Sequence, residues 1–196
     1  MNHNVHGIDL KEITSCPYAP KAVVEYFKEE VLDTDDSTLS KLKKDFLAVV
    51  TGPNFLRLDA YVVKLGVKID SVNDLVEHFK KLMYYLNDNL GTDNELEVPN
   101  WRFIFNNTSF FVIVMSDIYT RDSTRWYPDG HVILFQPEHS FHRQIPRSKR
   151  KAVITSIRKI FAKQGADYSE IVEDALEPQK YIFPLTKNDE LINWWL

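Results

Sequence analysis

The chain has 196 residues, 44% of them hydrophobic and 13% aromatic, with 27% charged residues and a net charge of −4. That length suits one domain, 1–196, with residues enough for a sizeable core, and the totals give no ground for a nucleic-acid or lipid-surface protein. The one cysteine, Cys16, excludes an internal disulfide and suits a reducing compartment. The N-terminus lacks a basic region followed by an apolar run, and no apolar run approaches the ~20 residues of a membrane helix. The expectation is a soluble, cytoplasmic protein.

Residues 1–15 are polar and expected to be loosely held. Cys16-Pro17-Tyr18-Ala19-Pro20 reads as an extended entry, because each proline biases its predecessor away from helix. Ala22, Val23, Tyr26, Phe27, Glu30 and Val31 then give a mostly apolar helical stripe. Ser37 is placed to cap a second helix carrying Leu39, Leu42, Phe46, Leu47 and Val50 on one face. Leu56 to Lys68 alternates as a strand does. Ser71, with Asp74 three residues on, starts a helix whose stripe is Val72, Leu75, Val76, Phe79, Leu82, Met83 and Leu86. Asn87 to Pro99 is polar and long enough for a binding loop.

Trp101 to Phe105 and Ser109 to Met115 predict a hairpin about Asn106-Asn107-Thr108. Ser116 to Gly130 is an irregular connection, His131 to Gln136 a further strand, and Pro146 the opening of a long helix that ends near Gly165. A short helix over Tyr168 to Leu176 and a short strand over Lys180 to Pro184 follow. The tail, with Trp194 and Trp195, is too aromatic to be left in water. Together these elements predict an α+β fold, a central antiparallel or mixed sheet flanked by helices in a single domain.

Among chemical motifs, phosphate loops, HExxH, paired CxxC and nucleophile elbows are all missing, and six glycines leave little room for a dinucleotide fingerprint. The connection after the hairpin is the richest stretch. Arg121 and Arg125 lie four apart after a buried strand, where two guanidiniums could clamp carboxylates or phosphate; pairing with Asp117, Asp122 or Asp129 on the surface is the plainer role. Glu138, His139 and His142 follow the next strand, and the histidines could ligate a metal or an iron porphyrin or be ordinary hydrogen-bonded side chains. Cys16 could be a thiolate ligand or a small buried apolar residue. The basic run beginning at Arg143 reads as a solvated helix face.

Phe110-Phe111-Val112, Arg121…Arg125 and Phe135-Gln136-Pro137…Phe141 resemble the YqcI/YcgG family. So do Cys16, the helix with Phe79, Leu82 and Leu86, Trp101 with Phe103, and Gln179 with Tyr181. Tyr119 stands where the family often has a histidine, and the loop ends Arg121-Asp122-Ser123-Thr124-Arg125 instead of the family's shorter RxSR element. The resemblance implies a haem-dependent N-oxygenase that binds haem b and hydroxylates a guanidine or amine nitrogen of an arginine-like substrate in specialised metabolism; the alternatives are a haem-binding or haem-sensing protein without turnover and a cofactor-free interaction module that docks a partner through Trp194 and Trp195. It implies use of oxygen or peroxide and leaves room for a redox partner and a homodimer. It gives Arg121 and Arg125 to the haem propionates, with Gln136 at the cofactor. The iron ligand is left among His139, His142, Tyr119 and Cys16, a histidine being favoured. Glu138 or Asp117 is the carboxylate that would act on a cationic substrate.

Overall fold

The computed structural model describes residues 10–14, 16–32, 35–87, 96–98, 101–145, 147–163, 175–186 and 188–196. The elements are α1 (Leu10–Ile13), β1 (Val24–Tyr26), α2 (Asp36–Thr51), β2 (Ala60–Leu65), α3 (Val72–Leu86), β3 (Phe103–Phe105), β4 (Thr108–Ser116), β5 (His131–Pro137), α4 (Glu138–Gln144) and α5 (Arg150–Lys163). The strands form one mixed sheet in the order β1-β2-β5-β4-β3. Only β1 and β2 run parallel; the other neighbours are antiparallel. This is the expected α+β architecture.

Strand alternation divides the sheet into two faces. Tyr61, Val63 and Leu65 of β2, Phe110, Val112 and Val114 of β4, and Ile133 and Phe135 of β5 enter the main core beneath α2 and α3. Phe46 of α2 lies between the rings of Tyr61 and Phe105, at centroid distances of 4.6 and 4.5 Å and nearly parallel to both. The intervening residues Ala60, Val62, Ile113, Met115, Val132 and Leu134 make the opposite face, against Leu10, Ile13, Val24, Tyr26 and Tyr127.

The hairpin turns on Asn106 and Asn107, both at positive φ (46° and 59°), the left-handed region that asparagine tolerates better than most residues. Ser71 caps α3 by accepting from the Asp74 amide at 3.2 Å. The C-terminal tail docks: Trp194 and Trp195 are each 1% exposed. The Trp194 indole donates to the Pro178 carbonyl at 2.9 Å, and Lys80 of α3 reaches the Leu196 carbonyl at 2.9 Å.

Four expectations are corrected. Residues 22–31 are not a helix: β1 and a bridge from Val31 to Leu65 run beside β2. A short apolar run fits either period, and here the backbone of β2 supplies the partners. Asp35, not Ser37, caps α2, its carboxylate accepting from the Thr38 amide at 2.8 Å. The strand expected over 56–68 is confined to Ala60–Leu65, after a 3-10 turn at Phe55–Arg57. The strand expected over 180–184 is a 3-10 turn, Pro178–Lys180, leading into a segment that gives one carbonyl, Tyr181, to the Val114 amide at 3.0 Å. The long helix begins with a 3-10 turn at Arg147–Lys149 and is α-helical from Arg150. Pro146, Gly165, most of the loop 87–99 and most of the expected helix 168–176 lie outside the described residues.

Candidate functional site

The second sheet face does not pack solidly. Between it and the elements that cover it lies a cavity of about 310 Å³, within the size range of small-molecule sites. Val24, Ala60, Phe111, Ile113, Met115, Leu134 and Gln136 contribute from the sheet. The N-terminal segment lines one side with Lys11, Thr14, Cys16 and Tyr18; Ser140 and Phe141 of α4 and Ile157 and Phe161 of α5 line another. Thr124, Arg125, Lys180 and Phe183 complete the wall. The lining is mainly apolar with a few polar groups, the usual character of a small-molecule site.

Arg125 is held there by several contacts. It is 6% exposed, donates Nη2 to the Lys180 carbonyl at 2.7 Å and places its guanidinium 4.1 Å from the Phe183 ring centre. The Ser116 amide donates to the Arg125 carbonyl at 2.8 Å, so the loop is tied to the end of β4. Tyr119 supports the same corner, its hydroxyl donating to the Phe183 carbonyl at 2.8 Å. Burial pushes the Tyr119 phenol up to about 12, with Arg125 opposing the shift. The hydroxyl is therefore protonated at neutral pH.

Asp59 fixes the opposite corner. Its carboxylate accepts from the Val23 amide at 2.9 Å and pairs with Arg143 of α4, which also donates to the Leu56 carbonyl. This joins the N-terminal segment, β2 and α4. Asp59 is the one carboxylate among the described residues that lines the cavity.

The structure brings Cys16, Arg125 and Gln136 to this cavity and leaves the other sequence candidates outside its wall. Arg121 is exposed, over the Trp126 ring at 5.5 Å. His139 turns to the far side of α4, donating Nε2–H to the Phe55 carbonyl at 3.1 Å with its ring edge-on to Phe55. His142 is exposed, 3.8 Å from Glu138, which is also exposed. Tyr119 lies behind Arg125. Asp117 is exposed and sits 3.3 Å from the Nδ1 of His131. Tyr18 and Met115, which sequence reasoning passed over, do line the cavity.

His131 is a further buried group. Its Nδ1 lies 2.7 Å from Ser116 Oγ, which is itself buried and accepts from the Ile118 amide at 3.2 Å. With Asp117 also beside Nδ1, the hydrogen belongs on that nitrogen. Burial lowers the His131 pKa; Asp117 opposes this and His78 adds to it. Burial lowers that of His139 too. Both rings are therefore more easily protonated in the unfolded chain than in the fold. Their contribution to stability is present above the ordinary histidine value of 6.5 and is lost as the pH falls below it. Thermal unfolding between pH 7.5 and 5.5 is expected to show a falling Tm, with a shallower fall in His131→Asn. An identical slope in that variant would remove His131 from the account.

Among the described residues, no group of three or more histidine, cysteine, aspartate or glutamate side chains is arranged to hold a bare metal ion, and no helix is long and apolar enough to cross a membrane. A haem makes a smaller demand, because the porphyrin supplies four ligands and the protein one or two. Thiolate, phenolate and thioether all serve as axial ligands, and Cys16, Tyr18 and Met115 offer one of each in the cavity wall. Arg125 offers a buried cation for a propionate. In side-chain type, these residues are ones that can hold the group.

The structure is that of an α+β protein with a partly open, largely apolar cavity on one sheet face. The YqcI/YcgG family model matches residues 85–174, so over that stretch the chain is similar to the family. The matched stretch covers β3 to α5, including Arg121, Arg125 and Gln136, but not Cys16 or Asp59. No curated protein and no solved structure matches the chain.

Proposed function

We propose that the cavity binds haem b and that the protein is a haem-dependent N-oxygenase acting on an amine or guanidine nitrogen of a small amino-acid-like substrate. The observation that carries this reading is the apolar cavity that has a thiol, Cys16, and a buried guanidinium, Arg125, in its wall. The family match adds support. When bound, haem supplies the activation of oxygen; the chain supplies the rest.

Cys16 is the axial ligand this geometry favours, because His139 and His142 lie away from the cavity. Arg125 is the cation for a propionate, Lys180 being paired with Glu177 at 3.3 Å, and the sheet face excludes water from the ring. Asp59, paired with Arg143 and bonded to the Val23 amide, is the carboxylate in the described wall; Glu138 and Asp117, to which sequence reasoning gave the substrate role, lie outside it.

Leu134→Trp, which adds bulk to the cavity floor, is expected to weaken haem binding by more than tenfold in an absorbance titration while leaving the circular dichroism spectrum unchanged. Unchanged affinity would place haem elsewhere. Conversion of arginine-like amines to hydroxylated products, followed by mass spectrometry with stoichiometric oxygen uptake, tests the activity.

A further inference from the structure

From His139 to Lys163 the sequence carries eight of the 24 lysines and arginines and neither aspartate nor glutamate, in a chain whose net charge is −4. Most of this charge lies on α5. Lys149, Arg150 and Lys151 crowd its N-terminal end, where the helix dipole is already positive and acidic residues are the stabilising choice. Lys159 and Lys163 are like charges at i, i+4, which repel. A solvated helix ordinarily interleaves both signs. Among the described residues, no ion pair engages Lys149, Arg150, Lys151, Lys159 or Lys163, and all five are exposed. The arrangement costs stability in the isolated protein, and an anionic partner would relieve it.

The position of α5 says what such a partner would reach. By helical period, Lys159 and Lys163 lie on the face opposite Ile157 and Phe161, which line the cavity, and Lys151 lies on the flank beside them. A body docked on the lysines is separated from the cavity by one helix, about 10–12 Å across. The lysines span about 18 Å along the axis, a patch suited to a protein surface. An anionic bilayer would also need an apolar face to insert, but that of α5 is turned inward, and Ile154 is its one large exposed apolar side chain.

We propose that the outer face of α5 docks an acidic electron-carrier protein, which delivers electrons one at a time to the group in the cavity beneath. This rests on the haem reading above. Hydroxylation with dioxygen forms one N–O bond and breaks the O–O bond. One oxygen atom enters the substrate N–H and the other leaves as water, consuming two electrons and two protons. The carrier is oxidised as the oxygen is reduced.

The test uses haem-loaded full chain and a reduced plant-type [2Fe–2S] ferredoxin as probe, with haem reduction followed by stopped-flow absorbance. The wild-type rate is expected to fall steeply with added salt. K151E/K159E/K163E should lower it at least tenfold at low ionic strength, whereas K151R/K159R/K163R, which keeps the charge, should retain it. Reduction by dithionite should be equal in all three proteins. A ferredoxin rate indifferent to salt and to charge reversal would overturn the docking site while leaving haem binding intact. So would a triple-Glu variant that loses only binding to anionic vesicles or to nucleic acid. Failure to form a saturable haem complex would remove both readings.

Discussion

Phe46→Ala is expected to destabilise the fold by about 3–5 kcal/mol, the range for deleting a fully buried phenylalanine. Phe46 is wholly buried and fixes α2 against the sheet by stacking between Tyr61 and Phe105. It also meets Phe110 and Phe135 at 5.2 and 5.1 Å, so its loss opens a space walled by four rings that cannot all move in. In urea the unfolding midpoint should drop sharply with little change in slope. A loss below about 1 kcal/mol would mean that the core relaxes around the gap, contrary to its tight ring packing.

The second large effect concerns binding. Arg125→Ala removes the buried guanidinium from the cavity wall together with its bond to the Lys180 carbonyl. A hydrogen bond to a charged group is worth about 1.5–3 kcal/mol, so haem affinity is expected to fall roughly ten- to a hundredfold. Arg125→Lys should recover part of this, since it restores charge without the planar fork. Arg121→Ala is the control: Arg121 is exposed over Trp126, and its loss should leave haem affinity unchanged. Equal losses in the two alanine variants would contradict the separate placements of these arginines.

The sequence made the two arginines look like a pair because they are four residues apart. The loop after β4 is not helical, so that spacing does not put them on one face. The main core was legible because α2, α3 and the hairpin have long, regular apolar patterns. β1 was not, since three residues with a strand's hydrogen bonds leave no period to read. The cavity was hidden for a different reason. Its wall combines residues from the N-terminus, the sheet, α4, α5 and the C-terminal segment, and no local pattern connects Cys16 to Arg125. One signal was available. Phe110–Met115 and Val132–Phe135 are apolar at both parities, which is how strands covered on both faces read. That pattern points to a second layer over the sheet, and the cavity lies within it. The histidines illustrate the converse: His139 and His142 are three apart on α4, yet one bonds the Phe55 carbonyl and the other faces solvent beside Glu138.

The most direct measurement is an absorption titration of the purified full-length chain with haem, repeated on Cys16→Ser. A sharp Soret band is expected that saturates at one haem per chain and moves in the Cys16 variant, since Cys16 is the proposed ligand among the three in the cavity wall. A Soret band unaffected by that substitution would transfer the ligand role to Tyr18 or Met115. A titration that only broadens and scatters, with no saturation, would contradict the haem reading itself.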